Sequence, residues 1–479
     1  MFTTPQPKKC QSLLLRQKSA SPWRVTRYSP YLARNPLVPE SLDPALDEPV
    51  RNPLYQDINS KQRPEKIVRL VLSFSLLENG IPRGPNQKEL SELRFHFPTM
   101  RSASYSHPFL TIRVETLPVQ PWPTFVADLP LWLTASSDDE PPHEIGKMAR
   151  AVQKFDVDGE IKFLETPSVA TVTKIFKLIN TKGAGINRIR WDGAMFRCFG
   201  TKEPEHGWQD RLPNRINGFA VSFFWTISSV EEHALRMRIP TEGMKDDTEY
   251  KREQLRPGVM VSGLCNNLQD VLETTSGICV ESPSTGEKFI TVAAHGFTAG
   301  IGGLVYHPKL RIINGEPDGA YQIGKIDRRF GDTDIALVEL LPGIRYSRET
   351  FSDDQSKEPM QPFRRLKDPA LNKVYDTVFM NTPVNGLCEG VHTDTQWTLG
   401  FEATDQNKDE ERTYCEISVF SYWGNGSDTF FEGCCGGVIW DESLDVLGQF
   451  RFQEKGDKRR VYAPSFTVLM DQGYQLSTI

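Results

Sequence analysis

Three short stretches of the sequence each place one reactive side chain beside small residues. His295 ends the apolar run TVAAHGF, Asp334 opens the alternating run DTDIALVEL, and Cys435 lies in the glycine-rich stretch EGCCGGVI. Hydrolysis through a covalent intermediate needs a nucleophile, a base that takes its proton and a group that orients the base. A cysteine, a histidine and a carboxylate can supply these three functions. The pattern predicts a catalytic group of Cys435, His295 and Asp334.

The glycines around Cys435 have a separate predicted function. A backbone free of side chains can direct its N–H groups at the oxyanion of a tetrahedral intermediate, and the predicted donors are the N–H groups of Gly433 and Cys435. Each motif alone also has a simpler interpretation: a packed histidine, a strand that starts after a turn, or a bend at two glycines. Asp332 is an alternative orienter. The order of the three motifs within one β-rich region favours the catalytic interpretation.

These motifs resemble those of chymotrypsin-like proteases. TVAAHGF resembles the histidine motif, DTDIAL resembles the aspartate motif, and EGCCGGVI resembles the nucleophile turn usually written GDSGGP. The chain order His295, Asp334, Cys435 is also that of the family. The resemblance implies peptide hydrolysis in the cleft between two six-stranded barrels, with no metal or organic cofactor. The motifs also resemble those of uncharacterised fungal proteins, which implies a fungal source.

The departures from the family pattern carry information. Cys435 replaces the serine, as in the picornavirus-type cysteine proteases, and a thiol ionises beside a histidine more readily than a hydroxyl does. Cys434 stands where secreted members have the aspartate that pairs with a newly cut N-terminus. His295 is followed by Gly-Phe and not by a half-cystine, which favours an intracellular protein. No histidine follows Cys435, so the histidine with which the viral relatives recognise glutamine is absent.

The adjacent cysteines leave other possibilities open. Cys434, Cys435 and His295 could bind a metal, although a fourth ligand is not evident. A disulfide between adjacent residues is strained, and a third possibility is that Cys434 resolves an oxidised Cys435. The competing function is a catalytically inactive protease-like domain that serves as a protein-binding or scaffold module.

Substrate specificity has only a weak signature. The run VLGQFRF resembles the strand that lines the family's primary specificity pocket, and this resemblance implies that Arg451 and Gln453 lie near the substrate. Arg451 would then favour an acidic side chain.

The composition and the patterns of the successive segments predict a multidomain chain in which an α+β domain is followed by an all-β domain. Of the 479 residues, 38% are hydrophobic and 25% are charged, as in a globular protein. Residues 1–65, rich in proline and basic side chains, are predicted to be a disordered arm. The following segments are predicted as an α+β domain of unknown role at 66–240, a linker at 241–258 and a chymotrypsin-like double β-barrel at 259–479. Helices are predicted at 167–180 and, from the Ser229/Glu232 capping box, after Ser229.

Charge and hydropathy limit the partners and the compartment. The net charge of -6 argues against nucleic acid as a partner, and the longest apolar runs are too short to span a membrane. The expected partner is a polypeptide substrate or another protein, and the oligomeric state is not predicted. Eight cysteines without a CxxC favour a reducing compartment, with the cytoplasm expected. The basic N-terminus is an alternative indication of a mitochondrial transit peptide.

Overall fold

The structure is a computed structural model. It describes residues 24–25, 68–118, 122–136, 146–150, 154–204, 207–225, 232–233, 255–264, 271–307, 311–313, 316–350, 361–382, 386–402, 410–424, 433–454 and 460–477. The predicted arm at 1–65 and linker at 241–258 therefore lie mostly outside the described residues. Contacts between Cα atoms divide the described residues into two compact units, one up to residue 136 and one from residue 146 onward. Every helix in the described ranges is too short or too polar to cross a bilayer.

The first unit combines short strands with one helix. Its elements are β1 (Arg24–Val25), β2 (Val68–Leu70), β3 (Leu77–Glu78), β4 (Ile81–Pro82), α1 (Gln87–His96), β5 (Met100–Ser106), β6 (Phe109–Val114), β7 (Phe125–Val126) and β8 (Leu129–Thr134). Six of the strands form a sheet in the order β1-β2-β7-β8-β6-β5. Helix α1 begins at a capping box of Asn86 and Glu89, which satisfies backbone N–H groups at the helix start.

The second unit is mostly β-sheet with few helices. Its first half contains β9 (Lys154–Phe155), α2 (Val169–Asn180), β10 (Ile186–Trp191), β11 (Met195–Gly200), α3 (Trp208–Arg211), β12 (Arg215–Ile216), β13 (Phe219–Phe224), β14 (Glu232–His233), β15 (Met260–Leu264), β16 (Val271–Thr275), β17 (Cys279–Glu281), β18 (Lys288–Ala293), β19 (Leu304–His307), β20 (Arg311–Ile313), β21 (Glu316–Asp318), β22 (Tyr321–Arg329) and β23 (Ile335–Leu340). Its second half contains β24 (Arg365–Leu366), β25 (Thr377–Thr382), β26 (Gly386–Glu402), β27 (Glu410–Gly424), β28 (Val438–Asp441), β29 (Asp445–Gln449), β30 (Phe452–Glu454), β31 (Arg460–Pro464), α4 (Thr467–Asp471) and β32 (Gln475–Leu476). Among the described residues, 3₁₀ turns lie at Ala294–Gly296, Gly331–Thr333 and Pro369–Leu371.

Two sheets in this unit position the candidate site. The smaller sheet has eight strands in the order β16-β15-β19-β22-β23-β18-β17-β32, and the larger has β26 and β27 at its centre and β25, β28 and β29 beside them. Buried apolar side chains on alternate positions of the strands form a core for each sheet. Strand pairing does not close either sheet into a ring within the described residues. The β-rich architecture is consistent with the predicted chymotrypsin-like β fold, whose two barrels stay a prediction.

The segment predicted as a separate α+β domain is divided between the two units. Residues up to 136 belong to the first unit, whereas β10 of the second unit pairs directly with β26 in an antiparallel register. The reason is that one edge of β10 is satisfied by β26, and the pairing connects positions about two hundred residues apart. Sequence patterns record local periodicity and do not reveal such long-range pairing.

The helix predicted at 167–180 is confirmed. The helix predicted after Ser229 is wrong for the two residues that the structure describes there. Helix α2 starts after Ser168, whose side chain accepts the N–H of Thr171, and it buries Val172, Ile175 and Ile179 along one face. In contrast, Glu232 and His233 form a strand that pairs with Gln453 and Glu454. Pairing at the edge of the larger sheet therefore prevails over the local capping signal after Ser229.

Candidate active site

The pairing of β18 with β23 brings His295 and Asp334 to one end of the smaller sheet. Ala293, the last residue of β18, is the register partner of Ile335, the first residue of β23. His295 therefore follows the paired position by two residues and Asp334 precedes it by one. The backbone N–H of Ala294 donates to the carbonyl oxygen of Asp334 at 2.9 Å. Alternating apolar side chains fix this register, since a slip of one residue would turn them out of the core.

The carboxylate of Asp334 makes two hydrogen bonds to His295. Its Oδ1 accepts the backbone N–H of His295 at 2.8 Å, and its Oδ2 lies 2.7 Å from the imidazole Nδ1. A proton on Nδ1 satisfies the second contact and leaves Nε2 as the available base. The His295 side chain is 44% exposed while that of Asp334 is 9% exposed, so the ring is held from its buried side. Asp334 has a left-handed φ of 60°, which aspartate tolerates in turns.

Cys435 lies in a tight turn that precedes β28, and the carbonyl groups of the turn are fixed. The carbonyl of Gly433 accepts Oγ1–H of Thr275 at 2.5 Å, and that of Cys434 accepts the N–H of Gly437 at 3.0 Å. The carbonyl of Cys435 accepts the N–H of Thr275 at 2.7 Å and also the hydroxyl of Thr274. The C=O and N–H of one peptide point in opposite directions, so fixing the Cys434 carbonyl also fixes the Cys435 N–H. That N–H and the Gly433 N–H stay the predicted oxyanion donors.

Gly436 shows how closely the turn approaches the strand that leads to His295. A Cβ at this position would lie 2.1 Å from the carbonyl oxygen of Thr275 and 3.1 Å from the backbone nitrogen of Ala293. Its φ of +91° also favours glycine. Gln449, the last residue of β29, links the larger sheet to the strands beside His295, because its Nε2 donates to the carbonyls of Val292 at 3.2 Å and Asp334 at 3.1 Å. The turn and the His295–Asp334 pair are therefore neighbours.

The two adjacent thiols have different hydrogen-bond partners. The thiol of Cys435 donates to the carbonyl oxygen of Arg451 at 3.1 Å, and Sγ of Cys434 lies 3.4 Å from Oγ1 of Thr382 in the core. Both cysteines are buried, and Cys434 is fully inaccessible. Between the described side chains of Cys435 and His295 the structure contains no hydrogen bond. The nucleophile candidate is close to the base candidate but is oriented toward Arg451.

The two residues predicted to line a substrate pocket differ in their surroundings. The guanidinium of Arg451 is paired with Glu416, with Nη1 2.9 Å from Oε1, and the two side chains are 24% and 12% exposed. Gln453 is buried, and its Nε2 has no hydrogen-bond partner in the described part of the chain. The charge of Arg451 is thus compensated in this state. Whether these two residues contact substrate stays a prediction.

Glu416 belongs to a row of polar side chains across three strands. Arg190 on β10 is the register partner of Gln396 on β26, and Gln396 is the partner of Glu416 on β27. Arg190 Nη2 donates to Gln396 Oε1 at 3.4 Å, and Gln396 Nε2 donates to Glu416 Oε2 at 3.4 Å. This row holds the Glu416 carboxylate in the orientation that pairs with Arg451. Cross-strand neighbours on one face interact in this way.

Several residues that support the site were missed by the sequence analysis. Thr274 and Thr275 hold the cysteine turn, Gln449 donates to the carbonyl of Asp334, and Arg329 donates to the carbonyls of Ala294 and Phe297 on either side of His295. Gln449 belongs to the run VLGQFRF, whose resemblance to a pocket-lining strand does not indicate this contact. The other three carry no local pattern, because their contacts depend on strands that are distant in sequence.

Metal binding is the alternative function predicted for Cys434, Cys435 and His295. In the ranges that the structure describes, no three His, Cys, Asp or Glu side chains are grouped in a way that could hold a metal ion. Sγ of Cys434 contacts Thr382, Sγ of Cys435 contacts the Arg451 carbonyl, and Nδ1 of His295 contacts Asp334.

Comparison with known proteins gives distant structural likenesses. The chain matches no known family model, and no curated protein matches it. Solved structures similar to it include a protease from M. tuberculosis in its active form, at 15% identity and a TM-score of 0.29, covering 50% of this chain and 88% of the protease. Thermobifida fusca Protease A and Nocardiopsis protease each have 12% identity and align over 47% of this chain and 100% of their own, with TM-scores of 0.29 and 0.30. Because these TM-scores are low, the function proposed below rests on the residues of the chain itself.

Proposed function

We propose that the second unit is a peptidase in which Cys435, His295 and Asp334 hydrolyse peptide bonds on a chymotrypsin-like double β-barrel. The observation that carries this proposal is that the Asp334 carboxylate accepts two hydrogen bonds from His295, one from the backbone N–H and one from the ring Nδ1. A purely structural carboxylate has no need to fix the tautomer of an exposed imidazole. The proposed substrate is a polypeptide, and the intracellular location and fungal source indicated by the sequence stay predictions.

In the proposed reaction, the Cys435 thiol first rotates away from the Arg451 carbonyl and transfers its proton to Nε2 of His295. The sulfur then forms a bond to the scissile carbonyl carbon, whose oxygen becomes an oxyanion bound by the N–H groups of Gly433 and Cys435. Collapse of this intermediate breaks the C–N bond, and the imidazolium protonates the leaving amine. Water, deprotonated by His295, finally hydrolyses the thioester and restores the thiol. Asp334 stabilises the imidazolium throughout.

A second candidate function is a protein-binding module with the same fold and no catalysis. The contact of the Cys435 thiol with the Arg451 carbonyl favours this candidate, because a nucleophile poised for attack would be hydrogen-bonded to its base. A catalytic hydrogen bond can also form only when substrate is bound. The two candidates therefore differ in whether the thiol can turn to His295 and react.

Labelling of the full chain by a biotinylated peptidyl vinyl sulfone tests the proposal. We expect covalent labelling of wild type, complete loss in Cys435→Ala and a decrease of at least about 100-fold in His295→Ala. Cys279→Ser serves as the control, because Cys279 is a buried thiol in the smaller sheet and its loss leaves the site intact. Failure of wild type to react faster than Cys435→Ala at any pH from about 6 to 9 would favour the binding module.

A further inference from the structure

The turn that carries His295 has little support of its own. It is a 3₁₀ turn of three residues, Ala294–Gly296, closed by a single backbone hydrogen bond from the N–H of Phe297 to the carbonyl of Ala294 at 3.2 Å. Short 3₁₀ turns have poorer hydrogen-bond geometry than α-helices. Asp334 holds the turn from one side through the N–H groups of Ala294 and His295. The carbonyl of Ala294 has this one backbone donor, and the carbonyl of Phe297 accepts the N–H of Gly300 at 3.0 Å, so a side-chain donor from another strand can add a second hydrogen bond to each.

Arg329 supplies that donor. It is the last residue of β22, and its Cα pairs with Ala336 on β23, two residues after Asp334. Its Nη2 donates to the carbonyl of Ala294 at 2.5 Å and also to the carbonyl of Phe297. These two carbonyls bracket His295 in the chain. A single planar guanidinium therefore fixes both ends of the turn relative to the strand beside Asp334.

We propose that Arg329 is a positioning residue for the reaction, which holds the His295 imidazole in register with Asp334 and Cys435. The inference rests on the proposed function for its kinetic consequence, and its structural consequence can be measured independently. Asp334 fixes the N–H side of the turn and Arg329 fixes the carbonyl side, so together they remove the rotation that the short turn would otherwise allow. A misplacement of about 1 Å in a catalytic group can reduce the rate about 100-fold.

Three variants of the full chain separate positioning from general stability. Arg329→Met keeps most of the side-chain length and removes the donors, whereas Arg329→Lys keeps the positive charge but can satisfy the two carbonyls less completely. Arg328→Met is the matched control, because Arg328 is the neighbouring residue and contacts Gln472 instead of the turn. Melting temperatures of all variants identify any loss of fold.

The labelling rate and the NMR resonance of the Nδ1–H are measured for each variant. For labelling by the peptidyl vinyl sulfone, we expect the maximal rate to fall about 10- to 100-fold in Arg329→Met, with the half-saturating probe concentration little changed. Arg329→Lys should recover part of this loss and Arg328→Met should behave as wild type. By proton NMR, the downfield resonance of the Nδ1–H bonded to Asp334, assigned with a His295→Gln variant, should broaden or disappear in Arg329→Met.

The outcomes are distinct. A wild-type labelling rate and an unchanged Nδ1–H resonance in a folded Arg329→Met would overturn the inference. If Arg329→Met does not fold, Arg329→Gln, whose side chain is too short to reach both carbonyls, decides in its place, and an unaltered rate and resonance in that variant would overturn the inference equally. If wild type does not label at all, the proposed function fails, while the resonance still reports whether Arg329 positions His295.

Discussion

The carbonyl oxygen of Arg451 accepts the hydrogen bond of the Cys435 thiol at 3.1 Å. The same residue places its guanidinium on Glu416, so one residue connects the candidate nucleophile to an ion pair. The backbone of Arg451 therefore affects the state of the thiol, while its side chain affects the charge that a substrate meets nearby. The two consequences can be tested separately.

Glu416→Gln should change the preference for charge in the substrate. Loss of the carboxylate leaves the Arg451 guanidinium available to an acidic side chain of the substrate. We therefore expect cleavage of peptides with Glu before the scissile bond to rise about 10-fold relative to cleavage of the same peptides with Gln at that position. Competition between matched peptide substrates, read by mass spectrometry, measures this ratio. Glu339→Gln is the control, since Glu339 pairs with Lys325 at the surface of the smaller sheet. An unchanged ratio would indicate that Arg451 does not contact substrate.

Asp334→Asn should leave the fold in place and reduce reactivity. An amide at this position presents an N–H to one of the two donors of His295 and no longer stabilises the imidazolium, so a loss of roughly 10³- to 10⁴-fold in the labelling rate is expected. Asp332→Asn provides the comparison, because Asp332 is the alternative orienter in the same sequence motif. A larger loss of labelling rate in Asp332→Asn than in Asp334→Asn would indicate that Asp332, and not Asp334, orients His295.

Gly436→Ala should destabilise the second unit more than a glycine replacement elsewhere. The new methyl group would lie 2.1 Å from the Thr275 carbonyl oxygen, in a backbone conformation with φ of +91°. Gly300→Ala is matched, because Gly300 has φ of +73° and open space around its Cβ position. The backbone conformation alone costs about 1–2 kcal/mol and overpacking adds about 1–3 kcal/mol. Equal melting temperatures for the two variants would show that the turn can move away from the strand.

Alkylation of the buried cysteines should depend steeply on pH. Burial raises the pKa of Cys279 to about 11, and burial likewise raises the pKa of the thiols of Cys198, Cys388 and Cys415. The reactive form is the thiolate, so at pH 8 about one Cys279 side chain in a thousand is reactive. Peptide mapping after iodoacetamide treatment should show Cys279 modification rising about 10-fold per pH unit between about pH 7 and 9. The urea-unfolded chain is the control, and labelling of folded Cys279 at the unfolded rate would contradict the prediction.

Local patterns predicted the parts of the site that depend on neighbouring residues. The apolar runs before His295 and after Asp334 are strands, and their pairing brings the two side chains into contact. Helix α2 was predicted for the same reason, because its cap and its apolar periodicity lie within one short segment. In these cases the local pattern and the tertiary structure favour the same arrangement.

The parts that were not predicted depend on long-range strand pairing. The row from Arg190 to Glu416 requires β10, β26 and β27 to lie side by side, and the first of these lies about two hundred residues from the others. A different long-range pairing, between β14 and β30, makes Glu232 and His233 a strand where a helix was predicted. The direction of the Cys435 thiol also had no local signature, because its acceptor is a backbone carbonyl that any residue type at position 451 would present.

The cysteine turn is bonded to the smaller sheet through Thr274 and Thr275. Gln449, at the end of β29 in the larger sheet, donates to the carbonyls of Val292 and Asp334. Each of these bonds joins a segment of the smaller sheet to a segment of the larger one. Neither sheet can therefore melt locally at the site without releasing the other. Heating should abolish reactivity and strand structure in the second unit in one cooperative event, because no partly unfolded form would keep one half of the site.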